Sequence, residues 1–506
     1  MRNQLPPGKT FALVLALACV VAMPAGARTL EMHVDEVKAA AGNFRQVDVE
    51  LEWPDGAPEG QLHLRAERLE VPVIHYVART VDWRCPLLRT GDGGWRCSGL
   101  VHAGSSSAFP LTLEFSPAGT RMDLRIGGGG LAFESSAASP DIARLRLEQV
   151  PVAWLKAYLA TVWKEGQWTQ GELGGTIDIV TPAGGPFEVR TSLDLHKVSL
   201  ETPTGWLAAA DVDAHMRLDY SEQRGKRSID THLALRGGEL LANSFYTSLP
   251  STPVEVDVLA QSGAGGAWNL SRLRWHDPGV LEAQGNGVIA ADGTIPRLDL
   301  DVVLGDLSIA RDRYLSGFLG PAGFPDLLLT GQAKAHVALR GNRFHSLDAN
   351  VSGLNAVDKA ARFTFAGVDG DLRWTRAATP VTSALHWGSG ALYGVGLGPA
   401  TFEFSSANGL FRLAHGVTMD SLGGKLRLDN LVVQPPDGAI TARFEFGLAM
   451  EALDLGSLSQ RLGWPDFAGT ISGRIPSARY QDDVLTLDGG LTMDLFGGQV
   501  TVGSLV

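Results

Sequence analysis

Three cysteines in 506 residues are too few for a disulfide scaffold, so the fold must rest on apolar burial. Charge is sparse at 19%, and its balance is acidic: 43 Lys and Arg face 55 Asp and Glu, for a net charge of -12. No run of basic residues occurs. Binding a phosphate backbone needs clustered cations, so nucleic acid is not an expected partner. Long apolar runs are missing as well. Residues 11–23 give thirteen uncharged positions, about 20 Å as a helix against a hydrocarbon core of about 30 Å. The twelve His form no H-x-H and no H-E-x-x-H, and no G-x-S-x-G elbow exists. Catalytic, metal and cofactor sites are therefore not expected, and the chain is not expected to be an enzyme.

Glycine is plentiful, at 61 residues, and 44% of the chain is hydrophobic. That excludes a disordered chain and favours many turns between short strands. Period-two alternation dominates. Met122, Leu124 and Ile126 alternate with Arg121, Asp123 and Arg125; Leu298, Leu300, Val302 and Leu304 alternate with Arg297, Asp299 and Asp301. Ala442, Phe444, Phe446, Leu448 and Met450 do the same around Arg443 and Glu445. Each reads as a strand with one apolar and one polar face. Pro54-Asp55-Gly56, Asp292-Gly293, Asp369-Gly370, Pro436-Asp437-Gly438 and Asp488-Gly489-Gly490 supply tight turns, which join strands into antiparallel meanders.

At the N-terminus, Arg2 and Lys9 precede the apolar run, and Ala25-Gly26-Ala27 follows it. This is the pattern of a cleaved export signal, with a retained inner-membrane anchor as the alternative. An exported chain would place Cys85 and Cys97 in an oxidising compartment. They recur as Trp83-Arg84-Cys85 and Trp95-Arg96-Cys97 around Gly91-Asp92-Gly93-Gly94, so a hairpin should bring them together as a disulfide. Two buried free thiols are the other reading.

Three segments depart from alternation. Residues 150–163 have helical spacing, with Trp154, Leu155, Tyr158 and Leu159 on one side; residues 307–319 and 453–462 are weaker versions. Gly323-Phe324-Pro325-Asp326 returns 140 residues later as Gly463-Trp464-Pro465-Asp466. The pattern reads as a degenerate repeat of strand, short helix, Gly-rich strand and meander. The expected organisation is a signal peptide at 1–27, an N-terminal β meander carrying the cysteine hairpin at 28–148, helix-plus-β units at 149–305 and 306–452, and the start of a third at 453–506. Gly285-Asn286-Gly287 with Ala290 formally matches a dinucleotide fingerprint, but a hairpin turn follows where a helix is needed. Asp299 with Asp301, and Asp211 with Asp213, read as solvated outer faces. His386 beside Trp387 reads as a structural histidine.

The C-terminal stretch carries a resemblance. Leu453-Asp454-Leu455, then Phe467-Ala468-Gly469-Thr470-Ile471-Ser472-Gly473-Arg474-Ile475-Pro476, then Leu485-Thr486-Leu487-Asp488-Gly489-Gly490 and Leu495-Phe496-Gly497-Gly498 resemble the YdbH-like branch of the AsmA-like superfamily of Gram-negative envelope proteins. The match covers residues 450–506. The resemblance implies a mainly β fold: an elongated, twisted antiparallel β-groove of repeated meander units with a few short interposed helices. It implies a periplasmic or envelope location and transfer of phospholipid between inner and outer membranes. The partners would be phospholipid acyl chains, a membrane at one or both ends, and other envelope proteins. The side chains expected to line the groove are Met122, Leu124, Ile126, Leu193, Leu195, Leu298, Leu300, Val302, Phe444, Phe446, Leu448, Leu485, Leu487, Leu491 and Met493. The competing architecture is a structural or interaction protein of tandem β-sandwiches, which would close the same residues against a second sheet. An outer-membrane barrel and a glycan-acting envelope enzyme are weaker alternatives.

Overall fold

The computed structural model describes residues 28–503, apart from 40–41, 72–75, 105–106, 157–165, 243–244, 264, 436–440, 464, 466, 482–483, 489–490 and 496–497. The expected signal peptide at 1–27 lies outside the described residues. The chain is mainly β, 72% strand against 6% helix, and the strand pairing is antiparallel throughout. It divides into two compact units between Gln223 and Arg224.

The first unit is a simple meander of β1 (Arg28–Ala39), β2 (Gly42–Trp53), β3 (Glu59–Val71), β4 (Tyr76–Arg89), β5 (Trp95–Ala103), β6 (Phe109–Ser116), β7 (Gly119–Ile126), β8 (Gly129–Ser136), β9 (Ser139–Pro151), β10 (Gln167–Val180), β11 (Phe187–Glu201) and β12 (Leu207–Gln223). Each strand pairs with the next, and among the described residues β1 pairs with β2 alone; the sheet is not closed. Residues 152–156 are helical between β9 and β10. This is the start of the helix expected at 150–163, whose remainder falls at 157–165, outside the described residues. Val150 and Val152 are fully buried there, against Leu147, Leu173 and Leu193.

The second unit begins with β13 (Lys226–Arg236), the small hairpin β14 (Glu239–Ala242) and β15 (Phe245–Ser248), then β16 (Val254–Ser262), β17 (Trp268–Asp277), β18 (Leu281–Ile289) and β19 (Arg297–Leu304). A helix follows, α1, made of Leu307–Ala310, the π-helical turn Arg311–Leu315 and Ser316–Leu319. The sheet resumes as β20 (Leu327–Arg340), β21 (Arg343–Asp358), β22 (Phe363–Thr375), β23 (Val381–Trp387), β24 (Ser389–Leu392), β25 (Val395–Leu397), β26 (Ala400–Ala407), β27 (Leu410–Leu413), β28 (Val417–Ser421), β29 (Gly424–Gln434) and β30 (Arg443–Asp454). Helix α2 (Leu455–Leu462) leads into β31 (Thr470–Gln481), β32 (Val484–Asp488), β33 (Leu491–Leu495) and β34 (Gly498–Val502). Among the described residues, no helix is long and apolar enough to cross a membrane.

Helices α1 and α2 start alike. The Asp306 carboxylate caps α1 by accepting from the Ser308 and Ile309 amides; Asp454 caps α2 by accepting from Ser457. Gly463 ends α2 at φ 66, and Gly323 has φ 87 a few residues past α1. Glycine occupies that left-handed region without strain. Both tetrapeptides therefore follow a helix and precede a strand; Trp464 and Asp466 themselves lie outside the described residues. The formal dinucleotide fingerprint is strand: Gly285 and Gly287 sit within β18 opposite Leu300 and Leu298, and a turn follows at Gly293.

Several non-glycine residues take positive φ inside or beside strands, among them Gln46, Thr80, Gln149, Lys197, Asp211 and Ala452. At Gln149, Lys197, Asp211 and Ala452 the strand register also shifts, and such bulges bend a strand and sharpen its twist.

Candidate functional site

The meander sorts side chains by face, and the register then aligns each face across many strands. One apolar row in the first unit runs Leu87, Cys97, Leu113, Met122, Phe133, Leu145, Ile177, Thr191 and Leu218, each residue opposite the next from β4 to β12. Nine strands at ~4.8 Å spacing make a stripe of about 38 Å. In the second unit, Val258, Leu273, Gly285, Leu300, Val337, Leu347 and Trp374 are aligned in the same way from β16 to β22.

The opposite face is charged, and its signs alternate across the strands. Arg96, Glu114, Arg121, Glu134, Arg144, Asp178, Arg190 and Asp219 form one such row. Arg96 meets Glu114 at 2.8 Å and Arg144 meets Asp178 at 2.6 Å. Cross-strand pairs of opposite charge each add a few tenths of a kcal/mol, roughly 0.2–1. Histidines join this pattern. His33 bonds Asp48, His215 bonds Asp194, His232 bonds Asp257 and His336 bonds Asp301, at 2.6 to 2.8 Å. Asp301 is thus an outer-face partner of His336, and Asp299 accepts from Arg340 at 2.7 Å. Asp213 bonds His196 at 2.7 Å, and Asp211 accepts from Gln170 at 2.7 Å. These carboxylates are engaged in structural pairs.

Burial separates the apolar face from the core of a closed sandwich. Of the residues expected to line a groove, Leu193 and Leu487 are buried. Met122, Leu124, Ile126, Leu195, Leu298, Leu300, Val302, Phe444, Phe446 and Leu448 are only half-buried. A facing sheet about 10 Å away would bury such residues fully. Fully burying a large apolar side chain is worth about 1.5–3 kcal/mol, so each of these leaves at most about 1 kcal/mol to be gained by further covering. The side chains of Leu485, Leu491 and Met493 lie outside the described ones. The sequence named scattered short sets; the register brings Leu124 and Leu193 into one row through Leu131, Leu147 and Gly175.

Two features of this face carry no sequence signal. The first is an aromatic ladder in the second unit: Phe324, Phe363, Phe365, Trp387, Phe402, Phe404 and Phe411, with successive ring centroids 4.4 to 6.2 Å apart. Trp387 belongs to it and donates its Nε1–H to the Gly398 carbonyl at 3.0 Å, while His386 points to Thr401 on the other face. The second is the seat of α1. Tyr314 packs on Phe245 and Trp275, and Ala310 is buried beside Val280 and Leu281. Beneath them Asp277, with only 2% of its side chain exposed, accepts from Arg313 at 2.6 Å and from the Tyr314 hydroxyl at 2.8 Å. Burial pushes the Tyr314 phenol well above its ordinary pKa.

Cys85 and Cys97 are joined by a disulfide, with Cα atoms 5.5 Å apart, and both are buried in the core of the first unit. No group of three or more His, Cys, Asp or Glu that could hold a metal ion occurs among the described residues. No family model, no curated protein and no solved structure matches this chain.

Proposed function

We propose that this chain is an exported, non-enzymatic lipid-binding protein of the YdbH-like kind. It carries phospholipid acyl chains along the apolar face of its sheet, in the cell envelope, between inner and outer membranes. The observation that supports this reading most directly is the aligned apolar row from Leu87 to Leu218, half-buried except at Cys97, with its counterpart from Val258 to Trp374. Each lipid methylene that covers such a row gains about 0.8 kcal/mol, so chains can be held without any specific polar contact. The charged opposite face, with its alternating signs, is suited to water. Membranes at one or both ends and other envelope proteins complete the proposed route.

The test is a photo-crosslinking residue at Leu300 or Phe446 in the full chain expressed in a Gram-negative host. Phospholipid adducts are expected at both positions. Purely intramolecular products with no co-purifying lipid would sink the transport reading and favour tandem sandwiches.

A further inference from the structure

We infer that Arg45, Arg68 and Arg79 form a binding site for an oxyanion of the phosphate class. The three arginines stand directly opposite one another on β2, β3 and β4. Opposed residues in antiparallel strands have Cα atoms about 4.5–5.5 Å apart, and like charges at that spacing are destabilising. The adjacent row on the same strands obeys the opposite rule: His33, Asp48, Arg65, Asp82 and His102 alternate across β1 to β5. So does the eight-strand row from Arg96 to Asp219. Three consecutive cations break a pattern that holds beside them.

Internal carboxylates relieve the repulsion only in part: a hydrogen bond from Lys38, helped by the Arg45 charge, holds Glu36 below the usual carboxylate range, but no carboxylate comes within ion-pair distance of Arg45 or Arg79 among the described residues. Arg68 meets Glu70 at 2.5 Å, and Glu36, opposite Arg45, is held by Lys38 at 2.9 Å. Arg45 and Arg79 have no ion-pair partner among the described residues. Another arginine run in the molecule, Arg297, Arg340 and Arg343, differs on this point. There Asp299 sits between the first two, 3.6 Å from Arg297 and 2.7 Å from Arg340.

The backbone shapes a receptor around the trio. Gln46 and Thr80, next to Arg45 and Arg79, take φ 50 and 53. The register of β1 to β4 runs unbroken through these points, and the concavity beside them is lined by the three arginines together with Gln46, Asp35, Glu36 and Glu67. Guanidinium forks match the oxygens of a phosphate group in bidentate fashion, and Arg45 and Arg79 line the concavity with no ion pair within it, beside an Arg68 already paired with Glu70. Asp35, Glu36 and Glu67 line the same concavity and match the arginines in number, which disfavours a bare polyanion and suits a phosphate that carries one or two charges. Such a group is offered both by a phospholipid headgroup and by free phosphate. This site lies on the charged face and does not depend on the acyl-chain reading.

The experiment is calorimetric titration of the full chain at constant ionic strength, with two probes. One is inorganic phosphate; the other is dihexanoylphosphatidylglycerol below its micelle concentration. Binding of inorganic phosphate assigns a free-phosphate site, and binding of the phosphatide alone assigns a headgroup site. In either case Arg45→Gln and Arg79→Gln should weaken binding about tenfold or more, and Arg65→Gln in the alternating row should not. Heat from neither probe, or equal weakening by Arg65→Gln, overturns the assignment. A thermal melt guards against misfolded variants: the probe that binds should raise the Tm of the parent chain and leave that of Arg79→Gln unmoved, and equal rises overturn it too.

Discussion

The Tyr314 hydroxyl donates to the Asp277 carboxylate across 2.8 Å, and this bond ties the π-helical turn of α1 to the end of β17. Arg313 donates to the same Oδ2 at 2.6 Å. A nearly buried charge is tolerated here because both neighbours satisfy it. Removing Asp277 strands the Arg313 cation. We expect Asp277→Ala to lower stability by about 3–5 kcal/mol, and Tyr314→Phe by only about 1–2 kcal/mol, in urea unfolding followed by tryptophan fluorescence. The phenol gives a separate readout. Its folded pKa is raised, so the stability it contributes is complete below the unfolded tyrosine pKa of ~10 and falls as pH rises beyond it. The parent chain should lose stability between about pH 9 and pH 11 more steeply than Tyr314→Phe; parallel curves would refute the buried phenol.

The disulfide depends on a neighbour with no side chain. Gly99 follows Cys97 by two residues, and its place in the β4–β5 ladder falls opposite Cys85. A Cβ there would collide with the Arg84 carbonyl and come within 2.7 Å of the Cys85 Cβ. Reduction of the parent chain should cost up to about 3 kcal/mol in denaturant unfolding. Gly99→Val should destabilise the oxidised protein as well, because the backbone carbonyl of Arg84 cannot move aside without breaking the ladder. Wild-type stability in Gly99→Val would show that the strands are not packed this closely.

His33 is a sensor that can be read residue by residue. Its hydrogen bond to Asp48, 2.6 Å long, raises its pKa above 6.5, and the charges of Asp48 and Asp35 act in the same direction. A raised histidine pKa stabilises the fold fully below the unfolded value and loses that contribution as pH climbs through the folded value. NMR titration should therefore show His33 titrating above its ordinary pKa in the parent and returning toward it in Asp48→Asn. An unshifted His33 in the parent chain would contradict the pairing.

The aromatic ladder provides an optical test of the lipid reading. Trp387 and Phe402 are 4.4 Å apart between centroids, with Phe365 4.7 Å beyond. Phospholipids with brominated acyl chains should quench part of the tryptophan emission, and Trp387→Phe should remove a measurable share of that quenching. Quenching that is identical in both would place acyl chains elsewhere on the protein.

What the sequence determined by itself is the part that depends on near neighbours along the chain. Alternation around Leu300 or Phe446 assigns a face, because successive strand side chains point to opposite sides whatever else the chain does. Helical spacing located residues 307–319 and 453–462, and the twin W-R-C hairpin put two sulfurs within reach. The opposed arginines, the aromatic ladder and the Asp277 cluster were decided only in three dimensions. Arg45, Arg68 and Arg79 are separated by 23 and 11 positions, and nothing local marks them as neighbours. Their meeting is set by the register of β2, β3 and β4, which turn lengths fix. Asp277 and Tyr314 meet only because a helix inserted between β19 and β20 folds back over the end of β17. Periodicity is a property of one strand, whereas opposition is a property of two, and no single-strand pattern carries it.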